Sequence, residues 1–269
     1  MRTPRFAGLG LGMMATVALA VAGCSTDGDA SPGASAPATQ ASGSPAGSSA
    51  ADPAAAAALA SAATTLSTQS FKMTMTAGPG VKLTALIDAP DNKGTATLNI
   101  TGTNTDIQVK TLLVVQDLYV QVPGVTKAGT WTHVDVTRLP EGANVGLRPG
   151  QIDPINTQKV LSSTTDVQQV DSRSYRGTLD LTKVAGITGV DPSTVTTWGP
   201  AAKDVPFTAG LDEQGRLSAL TIQLPAVNGQ QAQPLDVLYT DYGTAVTAER
   251  PAASAVVEAP DSLYSSLGG

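Results

Sequence analysis

From Phe71 onward the chain alternates apolar and polar residues with few interruptions. Phe71, Met73 and Met75 are followed by the Gly78-Pro79-Gly80 break, then Val81, Leu83, Ala85 and Ile87, then the turn-rich "APDNKG". Ala96, Leu98 and Ile100 continue the pattern, followed by Ile107, Val109, Leu113 and Val115, and then by Leu118, Val120 and Val122. A period of two with short Gly/Pro/Asn/Asp gaps predicts an antiparallel meander with one apolar face. "WTHVDV" predicts one more short strand, and "RLPEGANVGLRPGQ" (Leu139 to Gln151 in part) a Gly/Pro loop. Asp153-Pro154 then opens a short amphipathic helix through Ile155, Val160 and Leu161. Strands return at "SYRGTLDLTKV", with a helical piece at "DPSTVTTWG" starting from Asp191-Pro192. "VPFTAGLDEQGRLSALTIQLP" predicts a hairpin turning at Glu213 to Gly215, and "PLDVLYTDYGTAVTAERP" a last strand pair. Ahead of all this, Asp52 can cap an Ala-rich helix with Pro53 at its first position, ending near Ser67. The expected fold is α+β: a large curved antiparallel sheet with a few helices.

The first 51 residues follow different rules. Arg2 and Arg5 precede the apolar, Gly- and Ala-rich run "FAGLGLGMMATVALAVAG", and charge is absent until Asp27. That is the layout of a secretory signal, too short and too Gly-rich for a permanent span. Val21-Ala22-Gly23-Cys24 matches the bacterial lipobox, and Cys24 is the single cysteine of the 269 residues. The match implies cleavage before Cys24 and a thioether-linked diacylglycerol on its sulfur. The competing reading is cleavage after Ala18 to Ala20, which leaves an unpaired exposed thiol on a secreted protein. Residues 24–51 are Ser, Ala, Gly and Pro without aromatic or large aliphatic side chains, which predicts a flexible tether. A chain of that length spans on the order of 30 Å. The expected organisation is a signal peptide over 1–23, a tether over 24–51 and one domain over 52–269, displayed on the extracytoplasmic face of the cell membrane.

Composition narrows the function. The formal charge of −6 and pI near 4.7, with no basic stripe, argue against nucleic acid as a partner. One histidine and no available second thiol give no zinc-ligand set, and no metal or cofactor is expected. There is no G-x-S-x-G, S-x-x-K or H-E-x-x-H pattern. Asp212 and Glu213 sit in a hairpin turn and Asp88 and Asp91 flank Pro90, so all four read as turn residues. His133 falls beside Trp131 in a strand, outside any cluster of ligating residues. Nothing marks an enzyme.

Three blocks carry a family resemblance: Asp153-Pro154 with Val160-Leu161, Asp166-Val167 and "YRGTLDL"; then "VPFTAGLDEQGRL"; then "LYTDYGTAVTAERP". With the lipobox and the tether, the chain from about residue 53 to 265 resembles the actinobacterial LppX/LprG-type lipoproteins, relatives in fold of the LolA and LolB carriers. The resemblance implies a half-barrel sheet curled around helices, with an apolar cavity holding the acyl chains, palmitate-like in length, of a lipid or glycolipid. It implies contact with the outer leaflet of the cytoplasmic membrane and leaves room for an envelope transporter as partner. The expected lipid-contacting residues are Leu83, Leu98, Ile100, Val109, Leu113 and Val120 on the strands and Val160 and Leu161 on the short helix. Alternation fits a filled core equally well, and Tyr119 and Tyr242 fit either a cavity mouth or strand edges. Two functions therefore follow from the sequence: a membrane-anchored carrier or presenter of lipid, or an envelope sensor or scaffold with a filled core that acts through protein contacts.

Overall fold

A computed structural model describes residues 52–102, 105–124, 126–139, 147–185, 192–226 and 232–266. The signal, Cys24, the tether and most of the Leu139 to Gln151 loop lie outside the described residues.

The chain opens with α1 (Pro53–Thr65), which starts where the sequence places it. The Asp52 carboxylate accepts from the amides of Ala54 (2.9 Å) and Ala55 (3.3 Å), offsetting two of the donors a helix start leaves bare. Ala55, Leu59, Ala62 and Ala63 form its buried stripe.

Five strands follow as a meander: β1 (Ser70–Ala77), β2 (Val81–Asp88), β3 (Lys93–Gly102), β4 (Thr105–Val114) and β5 (Asp117–Gln121), extended by β6 (Trp131–Asp135). After α2 (Thr157–Ser162) a second meander begins with β7 (Thr164–Gln169) and β8 (Ser174–Leu179). It continues past α3 (Pro192–Trp198) with β9 (Val205–Leu211), β10 (Leu217–Leu224) and β11 (Gln233–Thr240). The first meander walks outward from β1, and the second walks inward until β11 pairs with β1. With a short last strand β12 (Val256–Glu258), the two thus fuse into one open, curved sheet of twelve strands in the order β12-β6-β5-β4-β3-β2-β1-β11-β10-β9-β8-β7.

Three sequence expectations need correction. Strand β7 lies just ahead of β8 in a stretch with one apolar residue, Val167, too little alternation to register as a strand. The helix expected from Asp153 begins at Thr157 instead, because Asn156 takes a left-handed conformation (φ 51°). Third, the residues after β11 are not a strand pair. Both edges of β11 are already occupied by β1 and β10, so no partner position remains. The chain turns at Asp241 (φ 54°) and Gly243 (φ 77°) and runs unpaired to β12 (Val256–Glu258), which joins β6 in parallel. The sheet is therefore antiparallel except at this one edge.

The C-terminal segment is held by widely separated contacts. Arg250 reaches the Asp117 carboxylate, Nε to Oδ2 2.9 Å. His133 lies between Asp117 (3.3 Å), on the neighbouring strand β5, and Glu258 (2.9 Å), 125 residues further along the chain, so alternation alone does not show the cluster. Beyond β12 comes α4 (Asp261–Ser266), where the Tyr264 hydroxyl accepts from the Asp135 amide (2.9 Å) and the Arg138 guanidinium stacks 4.0 Å over its ring. Leu112 and Tyr119, paired in register on the outer sheet face, are buried, with Arg250 and Glu258 of this segment beside Tyr119. Tyr119 thus stands on the outer face. Tyr242 donates its hydroxyl to the Leu217 carbonyl at 2.6 Å.

One turn is visibly strained. Val114 pairs with Asp117, so Val115 and Gln116 alone connect β4 to β5, and Val115 sits at φ 61°. A β-branched residue is a poor occupant of that region, which favours glycine at the first position of such a loop. Its side chain is half in solvent and contributes little packing. Val115→Gly should therefore stabilise the protein by about 1 kcal/mol, the strain of about 1–3 kcal/mol offset in part by glycine's entropy. Chemical denaturation measures it; a loss of stability would contradict the strain.

Candidate functional site

The sheet face that meets the helices is apolar along every strand of the first meander, because residues two apart point the same way. Register puts Leu83 opposite Leu98 and Leu98 opposite Val109, and Val81 opposite Ile100 opposite Ile107. Further along the strands, Ile87, Gly94, Leu113 and Leu118 form one cross-strand row and Ala85, Ala96, Thr111 and Val120 another. All six strand residues expected to contact lipid thus share this inner face.

They do not share one environment. Toward the row of Ile87, Gly94, Leu113, Leu118 and Val134 the face is sealed, with Leu113 and Leu118 at 0 % exposure. Gly94 is one reason. A Cβ there would meet the Leu86 carbonyl at 2.7 Å and the Leu147 methyl at 3.6 Å, so its absence lets β2 and the Leu147 side chain approach closely. Toward the other end Leu98, Ile100, Val109 and Val120 are half-buried, as are Met75, Val81 and Ile107 on the same face. Along the strands, one inner face therefore passes from a sealed half to a half whose apolar side chains are partly buried.

Sequence reasoning selected both halves together. Leu113 lies in the filled core and Leu83 (7 % exposed) on the boundary, while Val160 and Leu161 on α2 are buried in the same cluster. Met75, Val81 and Ile107 belong to the open half and were not among the expected lipid contacts, although the same alternation marks them.

Polar groups bind the covered half together. The Thr157 hydroxyl lies 2.6 Å from the Tyr239 hydroxyl, buried between α2 and β11. The Asp153 carboxylate accepts from the amides of Ile155 (3.2 Å) and Thr157 (2.7 Å). Burial raises the Asp153 pKa, partly countered by the hydrogen bonds from Thr157. Burial first, and then the Asp153 charge, push Tyr239 well above the ordinary phenol range. Both are packed polar groups.

Among the described residues no three or more His, Cys, Asp or Glu side chains gather as metal ligands, and no helix is long and apolar enough to cross a membrane. The arrangement offers a partly buried apolar surface. No family model matches the chain, and no curated protein is similar to it.

Proposed function

We propose that the chain is a membrane-anchored lipoprotein that lays the acyl chains of a lipid or glycolipid against the uncovered half of the inner sheet face and carries or presents them in the cell envelope. The observation that carries this reading is the split face. Apolar side chains from five neighbouring strands, in register, are only partly buried in a sheet whose row at Ile87, Gly94, Leu113 and Leu118 is sealed. Leaving so much apolar area in water is costly at roughly 25 cal/mol per Å², and a ligand of matching chemistry removes the cost. In this reading the sheet is a half-barrel and the open rows are the wall of an apolar cavity.

Energetics set what such a site must do. Two acyl chains of about sixteen carbons carry on the order of 20 kcal/mol of transfer free energy at about 0.8 kcal/mol per methylene. A carrier need only approach the membrane's own hold on those chains for exchange to proceed at a bilayer or at an envelope transporter. The lipobox Cys24 and the tether of residues 24–51 supply the attachment and the reach to the outer leaflet of the cytoplasmic membrane. The chemistry is binding, without a reaction step.

The test is native mass spectrometry of the protein purified without added lipid. The expected spectrum contains a discrete adduct whose organic extract is a lipid or glycolipid. A bare protein mass, with an empty extract, favours instead an envelope sensor or scaffold acting through protein contacts.

A further inference from the structure

One buried side-chain polar atom among the described residues has no hydrogen-bond partner: the indole nitrogen of Trp198, a residue only 8 % exposed. An indole N–H donates and cannot accept, and when buried it ordinarily finds an acceptor. Left unpaired it forfeits its hydration with nothing in return, so the position calls for an acceptor from outside the chain.

The fold places this donor at a particular end of the sheet. Between β8 and β9 the chain forms a helical turn at Leu181–Lys183, then α3, then a second turn at Gly199–Lys203. Val195 and Trp198 are the buried stripe of α3, and they share an apolar cluster with Leu181 and Ala202. Leu179 opposite Val205 marks where β8 and β9 meet this block. One step inward on the same face, a row runs from Phe207 and Ile222 through Leu235 and Ala77 to Val81 and Ile100. Phe207 and Ile222 are buried, whereas Val81 and Ile100 are only partly so. The α3 block thus stands at the strand end where the inner face opens, on the sealed side of a row that continues into the partly buried half.

We infer that the Trp198 indole N–H donates to an ester carbonyl of the bound lipid and so selects acyl esters over ether-linked chains. The inference rests on the acyl-chain reading and adds to it a polar contact that recognises how the chains are joined to the headgroup. An ester carbonyl suits the position because it accepts, has no proton of its own to place, and is attached directly to an apolar chain. A hydroxyl or an ammonium would bring a further donor into the apolar cluster, and a carboxylate an unpaired charge, at a cost the ester avoids.

The probes are dihexanoylphosphatidylcholine and its ether-linked counterpart, dihexylphosphatidylcholine, which differ only in the two carbonyls. Each is added below micelle formation to the full chain, freed of bound lipid and isotopically labelled on tryptophan. The chain has two indole signals, from Trp131 and Trp198, which Trp198→Phe and Trp131→Phe assign independently. The diester should move the Trp198 indole proton downfield saturably and bind about tenfold more tightly than the diether, the scale of one hydrogen bond to a buried donor. Trp198→Phe should weaken diester binding about tenfold and thereby erase the preference. Equal affinity for the two lipids, or the same downfield shift with the diether, overturns the inference and leaves the acyl-chain reading standing. A diester preference that persists in Trp198→Phe assigns the carbonyl to another donor and overturns it as well. Binding of neither lipid up to about 10 mM, weaker than specific association, overturns the acyl-chain reading and the inference together.

Discussion

Cys24→Ser should leave no protein attached to the membrane through lipid. The hydroxyl cannot take the place of the sulfur as acyl acceptor, so the variant is either released or held as uncleaved precursor. Each buried methylene of an anchor contributes about 0.8 kcal/mol, and one chain alone holds a protein only marginally, so loss of a two-chain anchor converts stable attachment into none. The remaining 245 residues offer no substitute of high positive charge, since the whole chain carries −6. Fractionation under high salt reads the outcome. A processed Cys24→Ser protein that sediments with membranes as the parent does would show that the lipobox is not used.

A second large effect separates the two halves of the inner face. Leu113→Ala removes a side chain of 0 % exposure set opposite Leu118, also at 0 %, and should cost about 2–5 kcal/mol in transfer and cavity terms. For a domain of this size that is a fall in melting temperature of about 10 °C. Val109→Ala, four residues from Leu113 on the same face but only partly buried, should cost less than about 1 kcal/mol, since less apolar area is lost from burial. Denaturation of both variants measures the contrast. Equal losses would mean that the face is covered uniformly and that the open half is no site.

Much of this arrangement was legible in the sequence, and the reasons differ by element. The first meander was readable because period-two alternation runs through β1 to β5 with turn residues between. That same alternation places Leu98, Ile100, Val109 and Val120 on one face. It could not tell them from Leu113. Whether a face is covered depends on what folds back over it, here Leu147 against Gly94 from some 50 residues away. Asp52 and Pro53 marked α1 because capping is local chemistry. Strand β7 was hidden for the opposite reason. Its sequence, TTDVQQ, is mostly polar, and it is a strand because β8 offers it an edge. The C-terminal strap misled the reading: Leu235, Val237 and Tyr239 alternate as a strand should, but whether a partner follows is decided by the occupancy of both edges of β11. His133 was read as isolated because Asp117 reaches it only across the β5–β6 pairing and Glu258 only through the parallel pairing of β12 with β6.

The acyl-chain reading meets its most direct test in a paired measurement on Leu98→Trp, Val109→Trp and Val120→Trp: melting temperature of the delipidated protein, and lipid recovered per protein from the purified form. In a filled core an indole at any of these positions overpacks and costs about 1–3 kcal/mol. Against an open apolar wall it occupies space that the ligand would otherwise take. The account predicts nearly unchanged melting for all three variants together with a marked loss of bound lipid relative to the parent. Destabilisation at all three positions, with no lipid on the parent protein, would contradict it.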